Sequence, residues 1–141
     1  MQEKHTSTIS IDISATPDSI WETLTNPAKA RELFWGATIS TTWEEGSPIT
    51  FTGEYKGNSY LEKGTILESR PPEKLRYSHW SNLEGLEDTP ENYRTWSFSI
   101  RQDKFQTVLT VSEDNIPTEK QRIRSDEFWT EVLRTVKRLA E

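Results

Sequence analysis

Between Thr38 and Glu113 strand-length segments follow one another with little but turn chemistry between them, which commits this stretch to an antiparallel meander. The segments are Thr38–Trp43, Pro48–Tyr55, Ser59–Ser69, Lys74–Trp80, Tyr93–Arg101 and Phe105–Glu113. Glu45-Gly46-Ser47, Lys56-Gly57-Asn58, Arg70-Pro71-Pro72-Glu73 and Gln102-Asp103-Lys104 supply the turns, and the acidic stretch Glu84–Glu91 reads as the one longer loop. Alternation puts Ile49, Phe51 and Tyr55 on one face of their strand. It does the same for Trp96, Phe98 and Ile100, and for Phe105, Leu109 and Val111, so one face of the sheet is expected to be buried.

The flanks complete the pattern. Ile9, Ile11 and Ile13 alternate with Ser10 and Asp12, which predicts a first strand over Ser7–Ser14. Thr16-Pro17 is an N-cap followed by proline at the first helical position, with Ile20, Trp21 and Leu24 at helical spacing. Asn26-Pro27 starts a second short helix through Leu33 and Phe34, and Gly36 is placed to end it. At the other end Thr118-Glu119-Lys120-Gln121 forms a capping box that opens a long helix running to Glu141. Trp129, Val132, Leu133, Val136 and Ala140 make an apolar stripe on its second half. The first half is polar apart from Ile123, and is expected to lie over a rim or in solvent while the second half packs on the sheet.

Only 32% of the 141 residues are hydrophobic, but 6 Trp, 5 Phe and 4 Tyr can furnish the core of a single domain spanning 1–141. The 23 acidic against 17 basic residues give a net charge of -6, which repels phosphate backbones and argues against nucleic acid as a partner. The absence of cysteine excludes disulfides, thiolate nucleophiles and cysteine-based metal sites. With two histidines only, no zinc-type spacing exists, and no cofactor is expected. The N-terminus has no apolar signal region and no run approaches a membrane span, so a cytoplasmic location is the expectation.

The order of one strand, two short helices, six strands and one long helix resembles the START-like, birch-pollen-allergen-like superfamily. The stretch from Ala15 to Pro27, with Phe34-Trp35-Gly36, is similar to the opening of its branch of activator-of-heat-shock-protein-90-ATPase homologues. Gly64 to Leu75 ahead of Tyr77 and Trp80, and Phe128-Trp129 in the last helix, resemble the same branch. This resemblance implies an α+β helix-grip fold, in which a curved antiparallel sheet and the C-terminal helix enclose an apolar cavity. It also implies a non-enzymatic protein, monomer or dimer, that binds a hydrophobic, aromatic or lipid-like molecule there. Two other readings accompany it: a cochaperone acting on a chaperone through its surface, and a polyketide cyclase-like or hydrolase-like enzyme.

On that reading the rings of Trp35, Phe51, Tyr55, Tyr77, Trp96, Phe98 and Trp129 surround the ligand, and Ile66, His79 and Leu133 complete the wall. Inward rings on strands also serve as plain core. His79 shares its face with Leu75 and Tyr77; it is either a general acid or base, or a histidine satisfied by a carbonyl or a tyrosine hydroxyl. Glu62 and Glu68 share the inward face with Ile66 if their strand is regular, whereas a bulge at Gly64 would send both to solvent. No phosphate-cradling loop or nucleophile elbow is present.

Overall fold

Side-chain alternation builds a sheet in which every neighbouring pair is antiparallel. The structure, a computed structural model, describes residues 3–141. Its elements are β1 (His5–Ile13), α1 (Pro17–Thr25), α2 (Pro27–Leu33), β2 (Thr38–Ser40), β3 (Pro48–Tyr55), β4 (Asn58–Arg70), β5 (Lys74–Ser81), β6 (Arg94–Gln102), β7 (Thr107–Ile116) and α3 (Glu119–Ala140). The seven strands lie in the order β1-β7-β6-β5-β4-β3-β2, a meander from β2 to β7 closed by β1 at the far edge. Three helices pack on the buried face, with α3 longest: this is the helix-grip arrangement.

The helix caps form at the residues read for them, with the difference that Gln121 Oε1 accepts from the Thr118 hydroxyl, not from the Thr118 amide. Thr16 Oγ1 accepts from the Ser19 amide, and Asn26 Oδ1 accepts from the amides of Ala28 and Lys29. Thr118 Oγ1 accepts from the Gln121 amide at 3.1 Å, which opens α3. The buried stripe of α3 starts a turn earlier than the apolar residues, because Ser125 is small enough to approach the sheet: Ser125, Trp129, Val132, Leu133 and Val136 are all buried. The polar first half is anchored on β1, where Ser7 donates to Asp126 and His5 meets Glu119 at 3.3 Å.

Three local expectations are corrected. Phe105 is 92% exposed, because Gln102 pairs with Thr107 and the Asp103 amide bonds the Gln106 carbonyl, so the residues between belong to the turn. β2 ends at Ser40, since Thr41 to Ser47 fold back through local hydrogen bonds and Trp43 takes φ 64. The irregularity in β4 falls between Ile66 and Glu68 rather than at Gly64. Glu62, Gly64 and Ile66 therefore keep one parity, while Glu68 is shifted opposite Arg76, on the other face, and pairs with Arg70 and Arg76. Gly64 instead sets the spacing of two strands. A Cβ there would lie 1.6 Å from the Ser78 carbonyl oxygen, so only glycine allows β4 and β5 to approach this closely.

Candidate functional site

Parity on β3, β5 and β6 and the stripe of α3 send rings from four directions to one place. Trp129 meets Trp96 edge-on with centroids 4.7 Å apart and Phe98 at 5.7 Å. Phe34, from the end of α2, lies 5.6 Å from Phe51 and 5.8 Å from Trp96, and Tyr77 lies 5.7 Å from Trp96 and 5.9 Å from Phe98. These rings, with Ile66 and Leu133, are nearly free of solvent and pack upon one another. The apolar space expected between helix and sheet is filled there by the residues expected to line it.

Open volume remains beside this cluster, where the polar half of α3 crosses the ends of the central strands. A pocket of about 220 Å³ is lined from the strands by Glu62, His79, Arg94, Trp96 and Glu113, from the acidic loop by Glu84, and from α3 by Gln121, Arg124, Ser125 and Phe128. The α3 residues stand at i, i+3, i+4 and i+7, one face of the helix continuing its apolar stripe.

The floor of the pocket is a buried ionic cluster. Glu113 Oε1 accepts from Trp129 Nε1 at 3.0 Å, and Oε2 accepts from Trp96 Nε1 at 3.0 Å and Arg94 Nη1 at 3.1 Å. One carboxylate thus ties helix, β6 and β7 together, with Glu113 4% and Arg94 9% exposed. Arg94 Nη2 turns outward to Glu84 at 3.2 Å. On the other wall His79 stacks on Trp96 with centroids 3.8 Å apart, and its Nε2 meets Glu62 Oε1 at 3.0 Å. Burial pushes the Glu62 carboxyl up, but the hydrogen bond and charge of His79 and a hydrogen bond from Ser81 outweigh it and hold it below the ordinary value. Tyr77 shifts the other way: burial, then the charge of Glu62, push its hydroxyl up, so it stays protonated.

Of the residues expected at the site, His79 and Trp96 line the pocket. Phe51, Ile66, Tyr77, Phe98, Trp129 and Leu133 lie behind it in the packed cluster. Trp35 and Tyr55 lie away from both. Trp35, at φ 51 just before Gly36, is 66% exposed and leans on the outer side of Phe128 at 5.3 Å. Tyr55 is 55% exposed because it closes β3 at the tip of the β3–β4 hairpin, where residues 54–59 are all exposed. His79 is satisfied by a carboxylate rather than by a carbonyl or a tyrosine. Sequence reasoning passed over Arg94 and Glu113, although both carried a signal. Arg94 shares parity with Trp96 and Phe98, and Glu113 with Leu109 and Val111, and a charge on the apolar face of a strand marks a paired buried group.

Residues 14–141 match the family described as activator of Hsp90 ATPase homolog 1-like protein. The solution structure of ChR145 from Cytophaga hutchinsonii is 36% identical, with a TM-score of 0.85 over 97% of this chain and 94% of that one. The Aha1 dimer from Colwellia psychrerythraea, at 19% identity, superposes with a TM-score of 0.72 over 94% of this chain and 93% of that one. Ara h 8.0201, at 9% identity, shares the fold with a TM-score of 0.77 over 98% of each chain. No curated protein matches the chain. By the extent of the family match and the identity to ChR145, the chain belongs to the activator of Hsp90 ATPase homolog 1-like family, and it shares its helix-grip fold with Ara h 8.0201.

Proposed function

We propose that this protein binds a small amphipathic organic molecule, about one ring in size, where the polar half of α3 crosses the sheet. The observation that carries this reading is the composition of the pocket wall, which sets Phe128 and Trp96 beside charged and hydrogen-bonding groups. Size narrows the ligand. An apolar cavity of about 150 Å³ accommodates benzene, and this pocket measures about 220 Å³. Thermal unfolding against a panel of one-ring acids, amides and amines tests the proposal: a ligand of the folded state raises the melting point saturably. Phe128→Ala should abolish the shift while Phe105→Ser leaves it intact, and no response to any member at millimolar concentration would end the proposal.

The His79–Glu62 couple supports a second reading, proton transfer on the bound molecule, since a histidine oriented by a carboxylate at a pocket wall is arranged for acid–base chemistry. Turnover of a bound compound that survives in His79→Ala would dispose of it. The family description supports a third, activation of a chaperone ATPase, and the rate of Hsp90 ATP hydrolysis with and without the whole chain measures that directly.

A further inference from the structure

Although the chain as a whole carries a charge of -6, two arginines converge on this one pocket, Arg94 at its floor and Arg124 at its mouth. Arg122, two residues before, is committed to Glu119 and Asp126, whereas Arg124 has no ion-pair partner among the described residues. Gln121 and Ser125 flank it on the same helix face and add further donors.

The carboxylates of the pocket are differently placed. Glu113 accepts three hydrogen bonds, from Arg94 and two indoles, and Glu62 is held by His79. Glu84 alone comes from the solvent-exposed loop, and it lies against the outward edge of the Arg94 guanidinium at 3.2 Å. That edge already donates to a carboxylate.

We infer that the pocket takes a small carboxylic acid, with its carboxylate between Arg94 and Arg124 and its ring against Phe128, and that Glu84 competes with it for Arg94. The inference rests on the small-molecule reading above and names the ligand's chemistry. With Glu84 displaced, the two guanidinium groups face Glu113 and the His79-paired Glu62, so the pocket no longer carries an excess of negative charge against the anion. Two cations that grip one carboxylate from different elements fix its orientation as well as its charge.

Calorimetric titration of the whole chain with benzoate, benzamide and benzylamine separates the cases. Benzoate should bind at least about tenfold more tightly than its neutral isostere benzamide, and benzylamine more weakly than either. Arg124→Gln should bring benzoate down to the level of benzamide. Glu84→Gln should tighten benzoate several-fold and leave benzamide unchanged, a gain that a merely structural Glu84 would not produce. Both positions lie at the rim, and circular dichroism checks that both variants fold. Equal or tighter binding of benzamide or benzylamine, or weaker binding of benzoate by Glu84→Gln, overturns the carboxylate assignment and leaves the pocket reading standing. If none of the three probes binds the wild type, both fall.

Discussion

Glu113 shows how much one side chain can decide. Among the described residues its carboxylate is the only acceptor for the Trp96 and Trp129 indoles, and it is the inner partner of Arg94, so helix, sheet and pocket floor meet at two oxygens. Replacing it with glutamine turns one of those oxygens into a donor facing donors and leaves Arg94 buried without its inner counter-charge. Breaking a buried pair in this way costs about 3–5 kcal/mol. Urea unfolding of Glu113→Gln should show a loss in that range, and a loss below about 1 kcal/mol would mean that the cluster is dispensable. Phe98 in the middle of β6 and Phe105 in the β6–β7 turn make the opposite comparison. Phe98, 1% exposed, should cost about 3–5 kcal/mol on truncation to alanine. Phe105→Ser, at 92% exposure, should change stability by less than about 0.5 kcal/mol in the same experiment.

Among the elements, β4 carries the sharpest constraint. It pairs with β5 in one register as far as Ile66 and in another from Glu68, and the backbones approach so closely before that shift that position 64 admits no side chain. Gly64→Ala must separate the two strands or distort the Ser78 peptide, and a loss of about 4 kcal/mol or more is expected from its denaturation midpoint. Gly53→Ala is the control: its Cβ would meet the Tyr60 side chain, the hydroxyl oxygen at 2.7 Å and ring carbons at 2.9 and 3.0 Å, and a side chain can shift where the Ser78 backbone cannot. Similar losses in the two variants would refute the backbone argument. The elements themselves were legible wherever a local signal sets them, as at Thr16-Pro17, Asn26-Pro27 and Thr118, or where alternation is unbroken, as in β3, β5 and β6. Where pairing or loop closure decides, no local signal marks the outcome. The β4 shift appears only in its register against β5, the start of β7 in the closure of the hairpin from Gln102 to Thr107, and the end of β2 in the loop that Thr41 and Ser47 hold.

At the scale of the molecule, sequence reveals which rings face inward, but whether inward rings leave a space depends on how far α3 stands from the sheet. The bond from the Trp129 indole to Glu113 ties α3 to the sheet, and Trp129 packs edge-on against Trp96 and Phe98, where the apolar space is filled. What remains open is walled by rings and charges together, and one of its carboxyls, Glu62, joins a wider pattern in which folding lowers the carboxyl values of separate groups. In Asp88 the hydrogen bond to Lys63 does this first, in Glu119 the hydrogen bond to Arg122, and in Glu141 the hydrogen bond to Lys137. In Glu62 the His79 and Ser81 contacts overcome burial. Each group releases its proton more readily folded than unfolded, so the unfolded chain binds more protons below the ordinary values of 3.8 for Asp and 4.5 for Glu. The stabilisation is complete above those values and drains away as the pH falls through the lowered ones. Melting points should therefore begin to drop as the pH falls below about 4.5. Salt at about 0.5 M should flatten the share owed to the three exposed carboxylates, because their pairs are screened, and should spare the share of Glu62, which lies in the pocket wall. In Glu62→Gln at that salt the remaining acid sensitivity should shrink. A variant whose melting point follows the wild-type pH profile without change would show that the His79–Glu62 couple does not stabilise the folded state.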